Sequence, residues 1–306
     1  MTITKRQAEI VSISMKPRPI AEVVPILEAE VRKGGDLFLL PETCIGYGTD
    51  IVPERMDGEA VKAIAEIAKR AGVYTCFPFF REGGPTGRLN SAVLFGRSGE
   101  VMGIYDKIYP FWDEFTFAKP VFPGKDICVV DTDFGRVGMA ICFDANFPST
   151  FKRMSDAGAE LVLWASAYSG GVSLQAHAIN HNYIIVTSTM VPDCTVYDVT
   201  GREVLYRRGE ESDILVNRYI ADLDHTVFHQ DYNVEKRDRL IADHGDAIEL
   251  DTSTRRENWF VLRSKKAGVS VQALAAQYGI ETLRAYKQRS EREIDEMRQT
   301  GQIKKR

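Results

Sequence analysis

The chain has 306 residues, 44% of them hydrophobic and 27% charged, with a formal net charge of −4. That length and apolar content suit one large globular domain or two modest ones, and the mild acidity argues against nucleic acid as the main partner. No apolar run reaches the roughly 18 residues of a membrane-spanning helix, and the opening MTITKRQAEI lacks the apolar core of a secretion signal.

In chain order, DLFLLPETCIGYG is an apolar strand closed by Pro-Glu, which puts Glu42 at the strand's C-terminal edge. GEAVKAIAEIAKRAG places Val61, Ile64, Ala65 and Ala68 on one helical face and stops at Gly72. VYTCFPFF and SAVLFG read as strands, and EVMGIYDKIYPFWDE ends another at Lys107. ICVVDT, RVGMAIC, ELVLWAS, YIIVTST and ILVNRYIADLD follow, separated from one another by helical segments and by turns such as VTG. Many of these strands are apolar on both faces and must be covered on both sides, which predicts an α/β sandwich.

Near ENWFVLRSKKAG the character changes. Residues 263–306 carry 11 Lys/Arg and 5 Asp/Glu, a net of +6, which leaves about −10 for residues 1–262. The expected organisation is therefore a main domain over 1–262 and a basic helical extension over 263–306. Within TLRAYKQRSEREIDEMRQ, Leu283, Tyr286, Ser290, Ile294 and Met297 recur at spacings of three and four, a stripe that needs a surface to pack on.

The five cysteines (Cys44, Cys76, Cys128, Cys142, Cys194) are odd in number, scattered and without CxxC pairs, so a reduced, cytoplasmic protein is expected. Cys142 stands apart from the rest. In GMAICFDANFP it ends an apolar strand and opens a sharp turn, the setting of a nucleophile elbow, where the next backbone N–H can face a developing oxyanion. Attack requires a thiolate, and a free thiol is mostly protonated near neutral pH, so a base or a cation must assist. Glu42 and Lys107, both at strand ends, supply one of each, and strand C-termini at one sheet edge converge on a shared crevice. Taken singly, Glu42 could cap a strand and Lys107 could pair with Asp106 in a solvated turn. Cys44 is the nearest rival thiol and lacks the elbow.

With these residues in place, the chain resembles the nitrilase, or carbon–nitrogen hydrolase, superfamily over about residues 8–260. LLPE, GIYDKIY and FGRVGMAICFDANFP stand in the family's order, joined by segments resembling its strand-turn-strand before the lysine and its approach to the cysteine. The resemblance implies a four-layer αββα sandwich with a C-terminal helical extension. It implies Cys142 as nucleophile, Glu42 as general base, and Lys107 with the Phe143 N–H stabilising a tetrahedral intermediate. Glu114 is the candidate second glutamate, with Asp113 beside it leaving that assignment open. The implied activity is cysteine-dependent cleavage of a non-peptide C–N bond in a small amide or N-carbamoyl compound, with no metal or organic cofactor.

Several positions depart from the family pattern. Asn146 stands where many amidases and carbamoyl hydrolases carry Arg, and Phe143-Asp144 replaces the Trp-Glu of nitrile-hydrolysing members, which favours amides or carbamoyl groups over nitriles. Tyr109 replaces a common His, and Asn180-His181 a common Glu-Asn. Tyr168 and Ser169 of ASAYSGG, together with Tyr47 and Trp112, are candidates to line the substrate pocket; the bland alternative is that SGG is only a flexible turn.

His177 and His181, like His225 and His229, are spaced i,i+4 as in helical zinc sites, but neither pair has the Glu of HExxH, so no metal is expected. SVQALAAQYGIETLRAYKQRS resembles a helix-turn-helix, yet only about forty residues follow the hydrolase-like region, too few for a third supporting helix. A helical hairpin covering a neighbouring subunit in a homodimer is the preferred expectation, with nucleic acid disfavoured.

Overall fold

The computed structural model describes residues 6–210 and 213–304. By internal contacts the chain divides into two compact units, one of residues 7–221 and one of residues 222–306 together with Arg6 and the residues before it. The larger unit contains β1 (Gln7–Ser14), α1 (Ile20–Val31), β2 (Leu37–Leu39), α2 (Glu59–Ala71), β3 (Tyr74–Arg81), β4 (Leu89–Phe95) and β5 (Val101–Asp106). It continues through β6 (Cys128–Asp131), β7 (Arg136–Ile141), α3 (Pro148–Asp156), β8 (Leu161–Ser166), α4 (Val172–His181), β9 (Ile184–Thr189), β10 (Asp193–Tyr197), β11 (Glu203–Arg208) and β12 (Leu215–Asp222).

Two six-stranded sheets result, in the orders β12-β1-β2-β3-β4-β5 and β11-β10-β9-β8-β7-β6. Each has a parallel heart, β1-β2-β3 in one and β7-β8-β9 in the other, flanked by antiparallel pairings β3-β4-β5, β6-β7 and β9-β10-β11. The sheets face each other through buried serine hydroxyls as well as apolar side chains. Ser12 donates to the Thr187 carbonyl at 2.6 Å, and Ser188 to the Ile13 carbonyl at 2.7 Å. Burying a hydroxyl without a partner is costly, so these bonds fix the facing register.

Helices cover the outer faces. Val23 and Leu27 of α1 and Val61, Ile64 and Ile67 of α2 pack with Val11, Phe38 and Phe77 of the first sheet. Phe151 and Met154 of α3 and Leu174 and Ala178 of α4 pack with Ala140, Val162 and Ile185 of the second. The four-layer αββα sandwich is present, and the helix expected to stop at Gly72 does so, with that glycine in the left-handed conformation at φ +67°.

The second unit corrects the expected domain line at 262. Its strands β13 (Thr226–His229), β14 (Ile248–Thr254) and β15 (Trp259–Ser264) form a separate three-stranded sheet in the order β13-β15-β14, with an isolated bridge from Phe228 to Thr282. With α5 (Val234–His244), α6 (Val271–Gln277) and α7 (Leu283–Thr300) they enclose a separate core of Phe228, Leu240, Ile248, Phe260, Leu262, Val271, Ala275 and Ile280. Residues 222–262 therefore fold with the basic tail, because their apolar faces and strand partners lie there. A supporting helix, α5, also exists beside the α6-turn-α7 pair. The stripe on α7 is used in its first turns, where Leu283 is buried and Tyr286 stacks on His229 at 4.5 Å; Ile294 remains 42% exposed. His225 and His229 lie on and just before β13, where an i,i+4 spacing makes no helical pair.

Candidate active site

Glu42 is the third residue past the end of β2, Lys107 directly follows β5, and Cys142 directly follows β7. Both parallel strands break abruptly. Cys142 has φ +47°, and Thr43, beside Glu42, has φ +42°. The left-handed region costs a residue with a Cβ on the order of 1–2 kcal/mol, and such strain collects at functional sites. Cys142 opens a short 3-10 turn, Cys142–Asn146. The first N–H groups of such a turn have no partner within it, which leaves the Phe143 amide available beside the sulfur. The Trp164 indole donates to the Cys142 carbonyl at 3.2 Å and holds the turn down.

The polar groups between these strand ends form one buried cluster. Lys107 Nζ donates to Glu42 Oε1 at 2.8 Å and to Glu114 Oε2 at 2.6 Å, and all three side chains are at most 2% exposed. Glu114 sits in the 3-10 turn Trp112–Phe115, where the Phe111 N–H also donates to its Oε2 at 2.7 Å. Asn90, on β4, donates from Nδ2 to Glu42 Oε1 at 2.8 Å and to Glu114 Oε1 at 2.7 Å. Glu42 Oε2 is buried and has no hydrogen-bond partner. One carboxylate oxygen is thus left free beside the cysteine to take up a proton.

Charge and burial set the protonation states. For Lys107, burial works against the charge, but Glu42, Cys142 and Glu114 outweigh it and hold the ammonium well above the usual lysine range. The Cys142 thiol is pushed up to about 12, first by burial and then by Glu42; Lys107, Ser166 and the Ala167 backbone oppose the rise without cancelling it. The resting sulfur is therefore a thiol, and any nucleophilic use of it requires that proton to be taken up by a neighbouring group.

Two residues that sequence reasoning missed hold this arrangement. Asn90 is one. The other is Asp144, fully buried, which accepts from Tyr105 Oη at 2.7 Å, from Ile141 N at 2.9 Å and from Tyr109 N at 3.0 Å. Its carboxyl is raised to about 6, chiefly by burial. It joins the loop carrying Lys107 to the turn carrying Cys142. Both residues lie inside motifs that draw attention for their neighbours, and a polar pair, Asn90-Ser91, opening an otherwise apolar strand was the available signal.

The expected pocket residues divide. Phe143 packs edge-on against Phe111 at 5.4 Å, and Asn146 donates to the Phe143 carbonyl at 3.2 Å. Tyr168, half-buried, lies edge-on to Trp164 at 5.4 Å and feels the charges of Cys142, Lys107 and Glu42. Tyr47 is raised to about 12, by burial first and then by Glu114 and Glu42, and packs on Phe80 and Phe117. Ser169 instead spends its hydroxyl on Asp193. Trp112 is 75% exposed and lies edge-on to Phe115, so it faces outward from the turn that buries Glu114.

Among the described residues no group of three or more His, Cys, Asp or Glu side chains is placed to hold a metal ion. His177 stacks on Phe151 at 3.9 Å and bonds the Ala145 carbonyl at 2.8 Å, so it supports the turn after Cys142. No helix among the described residues is long and apolar enough to cross a membrane.

Comparison with known proteins converges on one family. The family profile described as Carbon-nitrogen hydrolase matches residues 5–216. The deaminated glutathione amidase of Yersinia enterocolitica is 26% identical over 184 residues, which span 53% of this chain and 64% of that protein. Omega-amidase NIT2 of Mus musculus is 24% identical over 230 residues, spanning 66% and 83%. Among solved structures, an amidase from Nesterenkonia sp. superposes with a TM-score of 0.61 at 19% identity, over 77% of this chain and 97% of that one. A carbon-nitrogen hydrolase from Helicobacter pylori G27 gives a TM-score of 0.62 at 17% identity, over 72% and 91%. The matched span carries the sandwich apart from most of edge strand β12, and every residue of the buried cluster, and this chain belongs to the carbon–nitrogen hydrolase family of enzymes.

Proposed function

We propose that this enzyme is a cysteine-dependent amidase that hydrolyses the C–N bond of a small amide or N-carbamoyl compound through a thioester. Glu42 Oε2 takes the Cys142 proton as Sγ bonds to the carbonyl carbon, and the carbonyl π electrons move to oxygen. Lys107 and the Phe143 N–H stabilise that oxyanion, a contribution worth about 3 kcal/mol per donor in related chemistry. The tetrahedral centre collapses, its C–N bond breaks, and nitrogen leaves as ammonia or an amine with the proton held by Glu42. Water then attacks the thioester after giving a proton to Glu42, and the acid and the free thiol are released.

One observation carries the reading: a buried ammonium is bonded to two glutamates and leaves Glu42 Oε2 unpartnered beside a protonated cysteine. Relatives named amidases support it. So does a glutamate-to-glutamine variant of the Nesterenkonia sp. AN1 amidase, which carries the acetamide moiety of fluoroacetamide on its active-site cysteine. The test is ammonia release from primary amides, N-carbamoyl compounds and nitriles, with intact mass for an acyl adduct, in wild type and Cys142→Ala. Turnover and adduct that both vanish in the variant support the reading. Turnover of nitriles alone would replace it with a nitrilase.

A further inference from the structure

We infer that Asp193 is a positioning residue for the reaction: through the hydroxyl of Ser169 its carboxylate latches the turn of residues 166–171 against Cys142. The inference rests on the reading of Cys142 as the nucleophile and concerns a group held by a different strand.

That turn leaves the end of β8, whose last register pair with β7 sets Ala165 against Ile141, so Ser166 follows beside Cys142. Hydrogen bonds from Ser166 and the Ala167 backbone reach the Cys142 sulfur and favour its charged form. The Tyr168 N–H donates back to Ser166 Oγ at 3.0 Å, and the Tyr168 ring stands edge-on to Trp164, whose indole holds the Cys142 carbonyl. The neighbours of the sulfur thus share one short turn, and whatever fixes that turn fixes them. Its far end is fixed three times. Gly170, at φ +73°, lies so close to Trp164 that a Cβ there would come within 2.8 Å of the indole. The Tyr197 hydroxyl donates to the Gly171 carbonyl at 3.0 Å, and the Ser169 hydroxyl donates to Asp193 Oδ2. Ser-Gly-Gly is a packed turn, not a loose one.

Asp193 is itself held from both sheets. It opens β10 and is 2% exposed. Thr189, which ends β9, has its Oγ1 2.8 Å from Asp193 Oδ1, and Ser14, which ends β1, donates to the Asp193 carbonyl at 2.5 Å. Filling this place does not require a carboxylate, which is costly to bury unless its oxygens are bonded. What a carboxylate adds is strength, since a hydroxyl bonds it about twice as firmly as it bonds a neutral acceptor. Asp193 and Tyr197 are the two ends of β10, so one strand grips the turn at two points.

The experiment measures ammonia release from butyramide and the rate of Cys142 alkylation by iodoacetamide, read by peptide mass. It compares wild type with Ser169→Ala, Ser169→Thr, Asp193→Asn and the double variant of Ser169→Ala with Asp193→Asn. In Ser169→Ala both kcat/KM and the alkylation rate are expected to fall at least about fivefold, while Ser169→Thr, which keeps the hydroxyl, stays within about twofold of wild type. The double variant should lose no more than the worse single one, because both changes break the same bond. If Asp193→Asn fails to fold, the two Ser169 variants carry the test. Ser169→Ala matching wild type in both readouts overturns the proposal and leaves the amidase reading standing. So does a loss that Ser169→Thr shares, or losses that multiply in the double variant. No ammonia from any amide with wild type removes the amidase reading; slowed alkylation in Ser169→Ala then still supports the latch, and unchanged alkylation overturns it too.

Discussion

Tyr105 donates its hydroxyl proton to Asp144 across 2.7 Å, and both side chains are wholly buried. Tyr105 stands on β5, two residues before Lys107, and Asp144 two residues after Cys142. This one bond ties the strand that ends at Lys107 to the turn that opens at Cys142, although the two lie on different sheets.

That carboxyl gives a pH signature. Burial holds it near 6 in the folded chain, against about 4 for an unperturbed aspartate. The folded state keeps the proton where the unfolded state has lost it, so the group's contribution to stability is fullest below about pH 4 and falls as pH rises through 6. The size is on the order of 3 kcal/mol. Unfolding free energies measured in urea from pH 4 to 7 should show this slope in wild type and a flatter line in Asp144→Asn; identical slopes would remove Asp144 as the cause.

The cysteine should behave as a buried thiol. With its proton held up to about 12, no thiolate absorbance near 240 nm assignable to Cys142 should grow in below about pH 9. Replacing the proposed base, Glu42→Gln, is expected to lower kcat/KM by roughly 10²–10⁴-fold. A thiolate titrating near neutrality, absent from Cys142→Ser, contradicts the assisted-attack mechanism.

Asn90 should matter more to catalysis than a buried asparagine ordinarily does. Its amide nitrogen serves both glutamates, so Asn90→Leu strips a donor from each and costs about 1–3 kcal/mol of stability. Asn90→Asp places a third carboxylate against Glu42 and Glu114, and the acidic limb of the kcat/KM profile should move upward as one proton becomes shared. Profiles that superimpose on wild type would reduce Asn90 to a packing residue.

Arg88 governs the loop that bears Tyr47. Arg88→Met retains much of the contact with Phe80 and Phe117 but drops the hydrogen bonds to the Gly48, Thr49 and Ile51 carbonyls. The expected effect is a KM raised about tenfold or more with kcat changed less, because the loop stays folded but no longer holds Tyr47 in one place. A loss confined to kcat would place the loop in the chemistry.

Removing residues 268–306 should unfold the second unit. Val271, Ala275 and Ile280 are within its core, packed with Phe228, Phe260 and Leu262. A stop after residue 290 keeps all of these and should leave the near-ultraviolet signal of that unit intact. If the shorter truncation product keeps the signal too, α6 is an appendage after all.

Glu42, Lys107 and Cys142 were legible because each is a chemically unusual end to an apolar run. The sandwich was legible for a similar reason: strands apolar on both faces leave few architectures. Asp144 and Asn90 were hidden because what distinguishes them is a partner distant in sequence, Tyr105 at 39 residues and Glu42 at 48. The domain line failed likewise. TVFH, IELDTST and WFVLRS have the texture of further sandwich strands, and only their hydrogen bonds reveal that they pair among themselves. The charge shift at 263 marked a change of surface within a folded unit, and surface charge does not report which core a segment joins.

Five non-glycine residues among those described hold positive φ, and two of them, Thr43 and Cys142, adjoin or belong to the candidate site. A β-branched threonine is among the residues least suited to that region. The backbone here would rest more easily as glycine, yet glycine at 142 has no sulfur. Chemistry and conformational comfort thus compete at a single torsion angle, and the surrounding sandwich supplies the rigidity that settles the contest. Heat that loosens this frame lets the two turns relax first, so the enzyme should lose its turnover at temperatures where its helices and sheets still stand.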